Sequence, residues 1–470
     1  MVDLELSYTP AVVLARLIRE RKVSPVTVVE NSLARIAETN PTLNCFCFVY
    51  PEEALAKAHE AENAVMSGRA LGPLHGVPIA IKDVTPTRGK RTTMGSYVHE
   101  HWVPTFDAII VERLLGAGAI MVGKTTTPEF AHSSFTRSPL WGVTRNPWNR
   151  ERSPGGSSGG AGAAVASGCV SVAEGSDMGG SVRVPAALCG LVGLKPSFGR
   201  IPFEVYPSVF DQTCHFGPLA RTVDDAALFL KVAQGPDERD INSLSPGIDV
   251  PVPTPTDIRG LRLAYSRNLG CYNVTPEVEA NTQAAVDALS GLGAHVEEVD
   301  PGFTPEDDAL GNRYWSVYHA AFHGEHLPKW RGKMTPWLLR RIDGAFQMGA
   351  VEFKRIDFQR TNLWRKLQPI LSEHHALLCP TTTRTAPGAE QSDEDFAGFD
   401  AQNRYRGFEL TFPFNLVGQC PALTVPSGFA RDGLPTGLQI VGRRFEDLTV
   451  LRIGAALAEV RPWAGRRPPI

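Results

Sequence analysis

The chain has 470 residues, 43% of them hydrophobic, and carries a net charge of −3. Such a length can bury a large core, and the near-neutral balance offers no basic face for nucleic acid or an anionic membrane. The first residues, Met-Val-Asp-Leu-Glu-Leu, hold acid where a secretory leader holds base, and no run of ~18 apolar residues occurs, so a cytoplasmic protein is expected.

The first ~65 residues read as helices. Val12, Val13, Leu14, Leu17 and Ile18 recur at helical spacing. Ser24-Pro25 then supplies a cap and a first-turn proline for a second helix through Val28, Val29, Leu33 and Ile36. A third, alanine- and glutamate-rich, starts at Pro51 and runs to about Ser67. From Gly76 the texture changes. Val77-Pro78-Ile79-Ala80-Ile81 predicts a buried strand that delivers Lys82 and Asp83 at its tip. Ile109 to Ala117 reads as a helix, and Ala119-Ile120-Met121-Val122 as a second buried strand, which together imply an α/β protein with a largely parallel or mixed sheet.

Residues 153–197 are rich in Gly, Ser and Ala around short apolar runs, a texture that lets backbones pass closely and bares N–H groups. Residues 300–360 are rich in Trp, Tyr, His and Phe. Strands are expected at His375–Cys379 and between Gly433 and Gly442, and a last helix from Leu448 to Glu459. No segment between 200 and 300 reads as an interdomain linker. The eight cysteines are scattered, and Cys45 and Cys47, with one residue between them, suit neither a CxxC pair nor a zinc knuckle; buried free thiols are expected.

Three patterns are weighed and set aside. Gly118 to Thr125 satisfies G-x-x-x-x-G-K-T, but its four central residues are Ala119, Ile120, Met121 and Val122, a strand rather than a phosphate cradle, and Pro128 follows where a helix should run. Gly156-Ser157-Ser158-Gly159-Gly160 satisfies G-x-S-x-G without a buried strand before it. His319, His323 and His326 could share a helical face but lack the HExxH arrangement and a fourth ligand, so no metal site is expected.

Three other segments belong together: Gly76 to Asp83, Gly155-Gly156-Ser157-Ser158-Gly159-Gly160, and Gly175-Ser176-Asp177-Met178-Gly179-Gly180-Ser181-Val182-Arg183. Here the chain resembles the amidase signature family, whose enzymes use a Ser–cis-Ser–Lys triad. The 24-residue spacing from Ser157 to Ser181 fits the family pattern, as do Val122–Glu129, Gly190–Pro196, Gly217–Asp225 and Pro421–Gly428. The resemblance spans nearly the whole chain and is weakest at 230–370. It implies one domain over 1–470, with an N-terminal helical segment at 1–70, a catalytic core at 76–200 and a variable helical insertion at 300–360, built on a large mixed sheet between helical layers.

The resemblance assigns Ser181 as nucleophile, Ser157 as proton relay and Lys82 as base. A serine hydroxyl is weak until a base takes its proton. To serve at pH 7–8, Lys82 must be depressed by roughly 2–3 pKa units, for which desolvation at the end of an apolar strand is a sensible cause. Met178-Gly179-Gly180-Ser181 offers consecutive amides for an oxyanion hole. Asp177 and Arg183 read as a pair that pins this loop, and Asp83 as an anchor for the Lys82 strand tip.

Trp315, with Tyr314, Tyr318, Phe322, Trp330 and Trp337, could wall an acyl pocket or simply pack a helical insertion; Ala131, Tyr206 and Phe210 are further pocket candidates. The resemblance implies hydrolysis of small apolar or aromatic amides and anilides through an acyl-enzyme, extending to carbamates (urethanes) and esters. Water and a small-molecule amide are the only partners implied, with no cofactor, nucleic acid or membrane, and with a monomer or homodimer as the assembly. The alternative is the glutaminase component of a tRNA-dependent amidotransferase, which bears the same signature, although 300–360 does not resemble its glutamine-binding region.

Overall fold

A computed structural model describes residues 2–470. Thirteen strands form. They are β1 (Phe46–Val49), β2 (Pro78–Lys82), β3 (Ile120–Thr125), β4 (Arg137–Ser138), β5 (Gly142–Val143), β6 (Val172–Asp177), β7 (Val192–Lys195), β8 (His215–Ala220), β9 (Arg262–Tyr265), β10 (His295–Glu298), β11 (Ala376–Pro380), β12 (Ala422–Phe429) and β13 (Pro435–Gly442). Eleven make one mixed sheet in the order β1-β3-β2-β6-β8-β7-β12-β13-β11-β9-β10, and β4 pairs with β5 separately.

Alternation along the strands feeds two apolar layers. Ile79, Ile81, Val172, Leu378 and Ile440 point into one cluster with the helices Ala11–Arg19, Ile109–Gly116, Val223–Ala233, Pro276–Gly291 and Asp447–Val460. Ala80, Ala173 and Leu219 face the opposite cluster with Pro25–Leu43, Pro51–Met66 and Gly159–Ala166, while Leu377, Cys379 and Val441 face a third. The expected helices and strands form, with observed bounds of 11–19, 25–43, 51–66, 78–82, 376–380, 435–442 and 447–460, so that the second helix runs on past Ile36 and Lys82 belongs to its strand. Ser24 Oγ accepts from Val26 N–H at 3.0 Å, the predicted cap. The phosphate-loop look-alike is β3, whose Lys124 is fully buried and donates to Thr85 O (2.6 Å) and Thr92 Oγ1 (2.8 Å). All eight cysteines are free, six of them buried. Among the described residues no helix is long and apolar enough to cross a membrane.

The arrangement that matters for chemistry lies in the middle of the sheet. β2 and β6 run parallel as neighbours, so their C-terminal ends emerge at the same edge. β2 ends on Lys82, and β6 ends on Asp177, which opens the 178–182 loop and the helix Arg183–Cys189.

Candidate active site

Lys82 is fully buried. Its backbone N–H donates to Glu174 Oε2 (2.8 Å), and its Nζ donates to Ser157 Oγ (2.7 Å) and Ser176 Oγ (3.0 Å). Burial takes the ammonium out of water and lowers its pKa to about 7, against the opposing pull of Glu174 and Asp177. Glu174 also accepts from Thr85 Oγ1 (3.1 Å), and burial raises its own pKa. Glu174 and Ser176 were not singled out from sequence. They stand two apart on β6, so one face of the strand presents both to Lys82; polar residues in a strand as apolar as Val172-Ala173 were the available signal.

Two other lysines, Lys124 and Lys195, are equally buried, and burial lowers them to about 8 and about 7. Lys195 Nζ is held by three backbone carbonyls, of Pro196, Gly418 and Cys420. A carbonyl only accepts and has no proton to give. Lys82 alone of the three has two serine hydroxyls as its partners, which can both accept and donate.

Ser157 lies in the loop before the helix Gly159–Ala166, is 1% exposed, and follows a cis Gly156–Ser157 peptide bond. A Cβ on Gly156 would come within 2.6 Å of Ser133 O, so only glycine lets this loop lie against the 133–135 backbone. Ser181 is half-buried and lines a cavity of about 560 Å³. Its carbonyl accepts from Ser158 N–H at 3.2 Å, which ties the two serine loops together. Its hydroxyl makes no hydrogen bond to Ser157 or to any other described residue.

The loop carrying Ser181 is fixed by Asp177. That carboxylate accepts from Gly180 N–H (2.9 Å), Val182 N–H (3.2 Å), Arg183 Nε (3.0 Å) and Nη2 (2.9 Å), and Asn415 Nδ2 (2.9 Å). Burial alone would raise its pKa, but the charge and hydrogen bonds of Arg183, with Asn415, outweigh it and hold the carboxyl below the usual carboxylate range. Arg183, also fully buried, reaches on to Thr411 O (3.0 Å), Gln439 Oε1 (2.6 Å) and Asn415 Oδ1. The expected pinning pair is therefore part of a network that includes Asn415 and Gln439, which sequence reasoning missed. Gly180 sits at φ +129°, and a Cβ there would lie 2.1 Å from Thr411 Oγ1. Because its N–H is committed to Asp177, Gly180 drops out of the expected row of oxyanion donors. The amides of Met178, Gly179 and Ser181 donate to no described atom.

Asp83 is buried and accepts from the N–H (2.9 Å) and the hydroxyl of Thr93, holding the segment that follows the Lys82 strand. Ala131, Met178, Gly179 and Trp315 line the cavity, together with Trp337. Tyr206 does not. It packs against Tyr318 and Phe322 in the cluster that contains Trp315, one layer behind the wall. Phe210 is 73% exposed and Tyr314 and Trp330 are likewise absent from the lining. Of the three histidines, His319 and His323 lie on the helix Pro305–His323, while His326 falls in the turn beyond; His323 stacks on Phe130.

A buried lysine hydrogen-bonded to one serine, near a pocket lined by a second serine and set on a large mixed sheet between helices, fits a hydrolase with a serine nucleophile and a lysine base. Residues 27–451 match the family model described as Amidase, and the chain belongs to that family. It is 36% identical to an acylamidase of Rhodococcus erythropolis, over 100% of this chain and 98% of the relative. It is 38% identical to a glutamyl-tRNA(Gln) amidotransferase component of Chloroflexus aggregans, over 96% of each. The structure of a bacterial aryl acylamidase of the amidase signature family superposes with a TM-score of 0.91 at 29% identity, covering 98% of this chain and 99% of that one.

Proposed function

We propose that this enzyme hydrolyses small apolar or aromatic amides and anilides through an acyl-enzyme on Ser181. The observation that carries the reading is the 2.7 Å contact of Lys82 Nζ with Ser157 Oγ at the edge of the pocket that Ser181 lines.

Neutral Lys82 takes the Ser157 proton on its lone pair, and Ser157 takes the proton of Ser181 as Ser181 Oγ bonds to the carbonyl carbon. The carbonyl oxygen gains the negative charge and accepts from the free amides of Met178, Gly179 and Ser181, each such donor being worth ~3–4 kcal/mol in a comparable site. The proton then returns from Lys82 through Ser157 to the nitrogen, the C–N bond breaks, and the amine leaves neutral. Water repeats the route on the ester and releases the acid. Catalytic hydrogen bonds often tighten only with substrate bound, and the unpartnered Ser181 hydroxyl is free to turn toward Ser157. Trp315, Met178 and Phe412 give the cavity an aromatic and apolar wall that suits acyl or aryl groups, carbamates among them.

The rival reading, a glutaminase working within an amidotransferase complex, draws on the amidotransferase relatives. The purified chain assayed alone on glutamine and on an acyl p-nitroanilide separates the two. Cleavage of the anilide supports the amidase, and a mass shift on Ser181 after a fluorophosphonate probe tests the nucleophile that both readings share. Glutamine turnover with no anilide cleavage overturns it.

A further inference from the structure

Gly179 and Gly180 separate Met178 from Ser181, and Gly180 sits at φ +129°. Consecutive glycines turn easily, so the amides beside them stay aimed at one point only if other groups hold the backbone. Three anchors do so. Gly180 N–H donates to Asp177 (2.9 Å), and Gly180 O accepts from Val184 N–H (2.7 Å) in the helix that follows. The third comes from far along the chain, where the Thr411 hydroxyl donates to Gly179 O at 2.6 Å. Asp177 and Thr411 thus grip the two ends of one peptide unit, Gly179–Gly180. That unit lies between the N–H groups of Gly179 and Ser181, both free to receive an oxyanion.

Thr411 is fully buried, and its backbone is held without its hydroxyl. Its carbonyl accepts from Arg183 Nη1 (3.0 Å) and Phe414 N–H (3.2 Å). Just before it, Leu410 O accepts from Gln439 Nε2 (3.0 Å) and Leu410 N–H donates to Thr381 O (3.0 Å). The one hydroxyl proton is therefore left for the nucleophile loop. The two segments lie in direct contact. A Cβ on Gly180 would strike Thr411 Oγ1, and a Cβ on Gly179 would come within 3.1 Å of the Phe412 ring.

We infer that Thr411 is a positioning residue for the oxyanion site: its hydroxyl fixes the Gly179–Gly180 peptide so that the flanking amides meet the negative oxygen as it forms. The inference rests on the amidase reading above and deepens it. Thr411 is not among the residues that line the cavity, so it acts through the loop. A donor that must first be turned into place loses part of the advantage of preorganisation.

The test measures an acyl p-nitroanilide against its thioacyl analogue, in which C=S replaces C=O. Sulfur is a weak hydrogen-bond acceptor, so the ratio of kcat/KM on oxygen to that on sulfur reports the amide donors. Changes in Lys82, in Ser157 or in the amount of folded enzyme act on both substrates and cancel. Thr411→Val removes the hydroxyl and keeps the shape. Outright removal of one oxyanion donor costs about 10²–10³ in kcat, so loosening them should cost roughly tenfold to a hundredfold. KM on the anilide should hardly move, and the oxygen-to-sulfur ratio should fall. Thr411→Ala should repeat this without a β-branch, and Thr411→Ser should restore both kcat and the ratio. Wild-type kcat in Thr411→Val, a fall in kcat with the ratio unchanged, or Thr411→Ser as impaired as Thr411→Val overturns the inference and leaves the amidase intact. Failure of the wild type to cleave the anilide overturns the amidase reading and this one with it.

Discussion

The side-chain nitrogen of Lys82 and the hydroxyl of Ser157 sit 2.7 Å apart in a region where neither is open to water. Each comes from a different part of the chain, Lys82 from the tip of β2 and Ser157 from a glycine-rich loop 75 residues later. The contact ties a group that desolvation keeps near neutrality to a hydroxyl that can pass a proton on, and the predictions turn on it.

The first concerns pH. Lys82 is charged below about 7 and neutral above it, so kcat/KM for a neutral anilide should fall tenfold per pH unit on the acid side of that value and level off above it. Rates measured across pH 5.5–9 check this, the range being of order one to two units either side of the titration. A profile flat down to pH 5.5 would remove Lys82 as the base.

Glu174 should tune that profile. Its negative charge raises the Lys82 pKa, so Glu174→Gln, which keeps an acceptor for the Lys82 N–H, should move the acid limb to lower pH. An unmoved limb in a folded variant would mean that Glu174 is already protonated in the working enzyme.

Removal of the serines should differ in kind. Ser181→Ala should abolish turnover and probe labelling together. Ser157→Ala should leave Ser181 in place but without its relay, with a loss of ~10²–10⁴-fold in kcat. Mass spectrometry after fluorophosphonate treatment, alongside kinetics, distinguishes a lost nucleophile from a lost proton path. Near wild-type turnover by Ser157→Ala would exclude the relay.

Asp177 and Arg183 should prove essential to the fold around the nucleophile. Both are fully buried, so Arg183→Met leaves an uncompensated carboxylate and should cost ~3–5 kcal/mol, read by denaturant unfolding. The folded-state pKa of Asp177 lies below its unfolded value, so its contribution is complete above pH ~4 and is lost as pH falls through the lower, folded value. Wild-type stability in Arg183→Met would contradict the pinning role.

Much of the site was legible before folding. Lys82 at the end of an apolar run, the two serine loops and the Asp177–Arg183 pair lie in short segments whose residue types and spacing are local properties. So were most helices and strands, because period and capping are written within ten to twenty residues. Ala131, Met178, Gly179 and Trp315, which the family resemblance or an aromatic-rich stretch offered only as candidates, line the cavity.

Tertiary structure decided the rest. Glu174 and Ser176 reach Lys82 only because β2 and β6 run side by side and parallel, and that pairing brings together residues 92 and 94 positions apart. Asn415, Gln439 and Thr411 enter from the C-terminal third of the chain, and Gly180 gives up its amide to Asp177 through the turn of one loop. Tyr206 and Phe210 belong to an aromatic-rich neighbourhood that composition alone cannot sort into wall, backing and surface. A motif fixes which groups are present. Which of them touch depends on strand order and loop closure, and these are settled by contacts between residues far apart in the chain.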